Sequence, residues 1–164
     1  MARAGLSVAV VLCLLPAAGR SADPAVPWVR LKSLAGTWQR ADDGGRPGFR
    51  IRYRLISADT ALVEEFGDPA KQQTQTVFHP DADRLLATHY CAQGNQPRLV
   101  LRPGTAPDTL VFEFLDATNL RSTTESHLVL LTLRWLDPDR LSREEVYAAG
   151  ERREVSTLVL KRAR

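Results

Sequence analysis

The stretch Phe49-Arg50-Ile51-Arg52-Tyr53-Arg54-Leu55-Ile56 decides the fold. Phe49, Ile51, Tyr53 and Leu55 alternate with three arginines, and a period of two puts apolar side chains on one face of a strand and charge on the other. Working outward, short segments of the same kind recur at about 36–42, 60–66, 73–79, 84–91, 98–102, 109–115, 127–136, 140–148 and 153–162. Turn chemistry separates them: Asp43-Gly44-Gly45, Ser57-Ala58-Asp59, Gly67-Asp68-Pro69, Pro80-Asp81, Gly94-Asn95, Pro103-Gly104, Asp137-Pro138 and Ala149-Gly150. Ten short strands with no helix-length crossover predict an all-β fold, an antiparallel up-and-down β-barrel of eight to ten strands. Only Pro27 to Ala35 reads as a helical turn; it precedes the first strand and is expected to close one end.

Composition narrows the function classes. The 164 residues, 25% charged and 44% hydrophobic with 10 Gly and 10 Pro, fit one ordinary globular domain and exclude collagen, coiled coil and wholesale disorder. Lys and Arg number 22 against 19 Asp and Glu, a balance that argues against a nucleic-acid partner held by phosphate neutralisation. No Gly-rich phosphate loop, Gly-x-Ser-x-Gly elbow, His-Glu-x-x-His or Cys-x-x-Cys occurs.

The N-terminus reads as an address. Arg3 precedes an unbroken apolar run from Leu6 to Leu15, followed by Pro16, Ala17, Ala18 and Gly19. This is the pattern of a secretory signal peptide cleaved after Gly19, or alternatively after Ala22, and the run is too short to span a bilayer. Leu12 before Cys13 does not fit a lipoprotein signal. Removing those 19 residues, of which only Arg3 is charged, takes the chain from 164 residues and a net charge of +3 to 145 residues and +2. Cys13 leaves as well, so Cys91 is then unpaired even in a compartment that permits disulfides. The expected organisation is a signal at 1–19, an N-terminal segment with a short helix at 20–34 and a barrel at 35–164, in a periplasmic or secreted protein without a transmembrane segment.

Up-and-down connectivity sends successive loops to alternate ends. Ala92 to Pro97 and Asp116 to Glu125, the longer connections, fall at one end, the expected mouth; the helical turn falls at the other, the base. Ala35-Gly36-Thr37-Trp38, just after that turn, resembles the Gly-x-Trp signature of lipocalin and related calycin barrels. The resemblance implies that Gly36 and Trp38 close the barrel with a basic residue of the last strand, Lys161 or Arg162, across the Trp ring as a cation–π partner. The box Thr88-His89-Tyr90-Cys91-x-x-Gly94-Asn95-Gln96-Pro97-Arg98 is similar to one in a group of small exported bacterial lipocalin-like domains of unknown function. That likeness implies fold and export, and carries no activity.

Alternation adds a site. With Arg84 pointing to solvent, Leu85, Ala87, His89 and Cys91 point inward; His127 falls on the face of Val129, Leu131, Leu133 and Trp135, also inward. By the alternation of ends, His89, Cys91, Arg98 and His127 lie near the mouth, where Glu65 and Tyr147 also end, whereas His79 lies toward the base. Asn95 and Gln96 either bond a ligand or hold the turn at Gly94, and Arg98 either binds an anion or pairs with a rim carboxylate. These residues around an apolar interior predict a pocket for one small amphipathic or apolar molecule. A small enzyme using His89 or His127 in acid–base chemistry is the alternative, and a non-catalytic envelope module a third. A Cys91–His89 nucleophile is disfavoured, because residues two apart on one strand face stand roughly 6.5–7 Å apart. No metal or cofactor is expected: three histidines do not converge, and an inward His, which ligates haem in some small barrels, is more often a satisfied pocket group.

Overall fold

A computed structural model describes residues 25–42, 49–68 and 74–163. The segment read as a signal peptide and its cleavage positions lie outside the described residues. The chain forms α1 (Ala25–Lys32), β1 (Gly36–Arg40), β2 (Arg50–Ile56), β3 (Ala61–Gly67), β4 (Thr74–Asp81), β5 (Arg84–Tyr90), β6 (Gln96–Leu101), β7 (Thr109–Thr118), β8 (His127–Asp137), β9 (Arg140–Ala149) and β10 (Arg152–Arg162). Each strand pairs antiparallel with its sequence neighbours, and β1 joins β10, so the ten strands close into one barrel. Among the described residues no helix is long and apolar enough to cross a membrane.

The period-two pattern sets the inner face. Ile51 and Tyr53 of β2 are buried, whereas Arg52 and Arg54 between them are exposed. The ladder carries this parity round the barrel: Tyr53 lies opposite Glu64, Glu64 opposite Thr76, Thr76 opposite His89, and Ala87 opposite Leu99. Among the described residues three register shifts break simple alternation, one between Arg98 and Leu99 in the β6–β7 pair and two in the β8–β9 pair, between Leu128 and Leu130 and between Trp135 and Asp137.

At the base, α1 and β1 pack around Trp38. The helix begins two residues before the expected turn and ends three before its expected close, because Ser33, Leu34 and Ala35 turn back with amide bonds to Arg30, Leu31 and Lys32. Pro27 sits in the first helical turn, where its missing N–H costs nothing. Leu31, Leu34 and Trp38 are fully buried, and the Trp38 indole donates to Leu34 O at 2.8 Å. Arg162 stacks 4.5 Å over the Trp38 ring and donates to Ala35 O and Ser33 O. Gly36 permits this approach: its φ of +127° disfavours a side chain, and an added Cβ would sit 3.2 Å from Arg162 Nη1.

One side of the mouth is thinner. β1 is five residues long, and its ladder with β10 runs only from Leu160 to Arg162. Farther toward the mouth, β10 from Arg152 to Thr157 is exposed on both faces. Glu154 and Ser156, which lie opposite Tyr147 and Glu145 of β9, belong to its inner face.

Candidate functional site

Polarity inside the barrel changes at one height. Going from base to mouth along the inner face, Leu62 is followed by Glu64 on β3, Ala87 by His89 on β5, and Leu141 by Arg143 on β9; on β4, which runs the other way, the step is Phe78 to Thr76. Glu64, Thr76, His89 and Arg143 are all buried. Together they form a polar layer resting on the apolar base.

The layer is centred on Glu64. Arg143 reaches across the barrel, donating from Nε to Glu64 Oε2 at 3.1 Å and from Nη2 to Glu64 Oε1 at 2.8 Å. Tyr53 donates to Oε2 at 2.6 Å and Thr76 to Oε1 at 3.2 Å. Four donors saturate a carboxylate with about four lone-pair sites. Arg143 Nη2 also donates to Glu145 Oε1 at 2.9 Å, and the guanidinium lies 4.8 Å over the Phe66 ring. Phe66 packs edge-on to Phe49 with ring centroids 5.1 Å apart, so an aromatic pair lies beside the ion pair.

Donor and acceptor roles follow from the saturation of Glu64. Thr76 donates its hydroxyl hydrogen to Glu64, so its oxygen accepts from His89 Nδ1 at 3.0 Å, and Nδ1 carries the ring proton. His89 Nε2 is then the acceptor for the Tyr147 hydroxyl at 3.1 Å. The result is a relay of donors, Tyr147 to His89 to Thr76 to Glu64, from the mouth into the core.

Burial and charge set the ionisation of the layer. Burial lowers the His89 pKa and Arg143 lowers it further, against an opposing pull from Glu145 and Glu64, so the ring is held neutral. Burial alone would raise the Glu64 carboxyl, but the Arg143 charge and the hydrogen bonds from Arg143 and Tyr53 outweigh it and keep the group ionised. Burial likewise works against charge on Arg143, and Glu64 and Glu145 reverse that, holding the guanidinium charged. The Tyr147 phenol is pushed well up by burial, by the Glu145 charge and by the adjacent Cys91 thiol, so it stays a donor.

The residues singled out from sequence divide into three groups. His89, Tyr147 and Cys91 meet on the mouth side of the layer. Arg98 and Glu65 stand on the outer face: Arg98 forks onto Asp116 and Glu65 accepts from Arg54 at 3.1 Å. The inner position on β3 belongs to Glu64, because the ladder sets Glu64, and not Glu65, beside Tyr53 and Thr76. His127, Asn95 and Gln96 serve the loops. His127 donates from Nδ1 to Glu125 O at 2.7 Å and meets the Phe114 ring; the register shift after Leu128 puts Leu128, not His127, opposite Tyr147. Asn95 donates to Ser126 O, and Gln96 donates to Gly94 O and accepts from Thr118. Sequence reading missed Tyr53, Thr76, Glu64, Arg143 and Glu145 as members of the site. Among the described residues no three His, Cys, Asp or Glu converge as metal ligands.

Comparison with known proteins places the fold and no more. No family model matches the chain, and no curated protein does. Among solved structures the chain is similar to Rv2717c from M. tuberculosis, with a TM-score of 0.52 and 19% identity over 84% of this chain and 98% of that one. At that identity the likeness concerns the barrel alone.

Proposed function

We propose that the chain is an exported barrel that holds one small molecule in its mouth half, with an apolar body and a polar end that donates hydrogen bonds. The observation that carries this reading is the two-sided exposure of β10 from Arg152 to Thr157, beside Tyr147 and Glu145, which face inward yet are only partly buried. Phe66 and Phe114 supply apolar wall, a few polar groups supply orientation, and this is the usual composition of a ligand pocket. The polarity of the bound end follows from what is already committed. Arg143 spends its guanidinium on Glu64 and Glu145, so no cation of the layer is left for an anion. Tyr147 gives its hydrogen to His89, leaving its oxygen as an acceptor, and the Glu145 carboxylate lies beside it. A hydroxyl or amine suits these groups; a carboxylate does not.

The test is a titration with 1-aminoanthracene, which joins apolar rings to one N–H donor. One equivalent is expected to bind, and Tyr147→Phe is expected to weaken it about five- to tenfold, the loss of one hydrogen bond. Absence of saturable binding, or affinity indifferent to both Tyr147→Phe and a mouth-filling Phe66→Trp, would end the reading. The relay from Tyr147 to Glu64 supports a second one, an enzyme in which Tyr147, backed by His89, exchanges a proton with its substrate. Turnover abolished by both Tyr147→Phe and His89→Gln would select it.

A further inference from the structure

The base of the barrel carries a cavity of its own. A cleft of about 560 Å³ opens between α1 and the loop from Arg102 to Pro107 that leads into β7. Val26, Pro27, Leu101, Pro107 and Leu110 give it apolar walls. Its size falls within the roughly 300–1,000 Å³ of small-molecule sites. Val26 is 71% exposed, an apolar side chain at the rim with nothing of the described chain over it.

One group in this cleft is uncommitted. Arg84 is bonded to Asp81, and Arg102 donates to Glu113 at 2.9 Å, which leaves Arg30 as the cation of the lining that has no ion pair among the described residues. The Arg30 guanidinium is fixed 4.7 Å over the Trp135 ring, and its Nε is buried with no hydrogen-bond partner. A buried N–H without an acceptor is costly, and a guanidinium whose carbon sits over an indole ring keeps its remaining N–H groups for another partner. Asp83 is the one carboxylate among the described residues of the lining, and it makes no ion pair with Arg30.

We infer that the cleft between α1 and the β6–β7 loop is a binding site for a small amphipathic carboxylate, its apolar part between Val26, Pro27 and Leu110 and its charge on Arg30. The charge preference is the reverse of the one at the mouth. A carboxylate offers the planar pair of acceptors that a guanidinium fork matches, and the apolar walls exclude a fully hydrated anion. The enclosure by a helix and a proline-rich loop suits a molecule of limited length, not a macromolecular surface.

Titration of the full chain with decanoate, decanol and decylamine, followed by tryptophan fluorescence, tests this site. Decanoate is expected to bind most tightly, and Arg30→Gln to weaken it about tenfold or more, as loss of a charge-assisted hydrogen bond predicts, while decanol is little affected. Val26→Trp, a substitution at an exposed position that leaves the core alone, is expected to block all three. Equal binding of decylamine and decanoate would overturn the inference, as would decanoate affinity unchanged in both variants. A decanoate site lost in Phe66→Trp but kept in Val26→Trp would move the ligand to the mouth and overturn it too. A dimer in sedimentation that Val26→Trp dissolves would assign the cleft to a second copy of the chain. Failure of aminoanthracene at the mouth leaves each of these outcomes unaltered, so the two sites stand or fall separately.

Discussion

The base half of the barrel interior is held by Leu31, Leu34, Trp38, Leu133, Trp135, Leu141 and Leu160, whereas one inward step farther along β9 the neighbours are Arg143, Glu64, Tyr53, Thr76 and His89. The two halves obtain stability differently. Apolar burial is non-directional and tolerates small shifts, because each methylene contributes through area. A buried ion pair contributes only if every partner is in place, since the desolvation of each charge is about as large as the attraction that offsets it. The base is therefore a packing problem, and the layer above it is a valence problem.

Removing one partner of the layer is the hardest way to break this contrast. Arg143→Met leaves the Glu64 carboxylate, 0% exposed, without its cation, and is expected to cost about 3–5 kcal/mol in urea unfolding. Adding Glu64→Leu to that variant removes the orphaned charge and is expected to restore a large part of the loss, as paired apolar replacements of buried ion pairs do. If the double variant is as unstable as the sum of the singles, the layer is not the coupled unit described here.

The contrast also governs what was legible in the sequence. The barrel was readable because β2 alternates cleanly and every turn carries Gly, Pro, Asp or Asn; the ten strands and the base closed by a short helix follow from that. On β3 the run Leu62-Val63-Glu64-Glu65 is apolar twice and acidic twice, so period two cannot say which glutamate faces inward. Only pairing with Tyr53 and Thr76 resolves it. Arg143 was hidden for a different reason: its partner lies 79 residues away across the barrel, and no local pattern encodes a contact between non-adjacent strands. His127 defeated alternation through the register shift after Leu128, which no turn residue announces. The Leu141-Arg143-Glu145-Tyr147 series was the one signal available, since an apolar first member places the three polar ones on the inner face.

A smaller effect separates the halves by pH. Burial depresses the His89 pKa in the folded chain, so below the ordinary imidazole value of about 6.5 the unfolded chain takes up a proton that the folded chain refuses. Stability is then full above that value and falls as pH drops, by at most about 1.4 kcal/mol per pH unit for one proton. Urea midpoints at pH 7.5 and 5.5 are expected to differ in the parent chain and to converge in His89→Gln. The Glu64 carboxyl, also depressed once Arg143 overcomes its burial, acts in a lower window, below the ordinary carboxylate value of about 4.3. A slope between pH 7.5 and 5.5 that survives His89→Gln would remove His89 from the account.

The smallest expected effect is the sharpest check on which face of the barrel matters. Arg98 belongs to the same sequence box as His89 and Cys91, yet β6 pairs it with Thr88 and Asp116 on the outer face, and its side chain is 45% exposed. Hydrogen bonds from Arg98 hold the Asp116 carboxyl below its ordinary range, but a solvated pair exchanges one set of partners for water at little net gain. Arg98→Gln is therefore expected to leave the urea midpoint, the aminoanthracene titration and the decanoate titration unchanged within error. Tyr147→Phe, on the inner face, is expected to change aminoanthracene alone, and Arg30→Gln decanoate alone. Loss of either ligand in Arg98→Gln would mean that the outer face of β6 and β7 does the recognition, and the division of the interior into a donor-accepting mouth and an anion-accepting base would fail together with it.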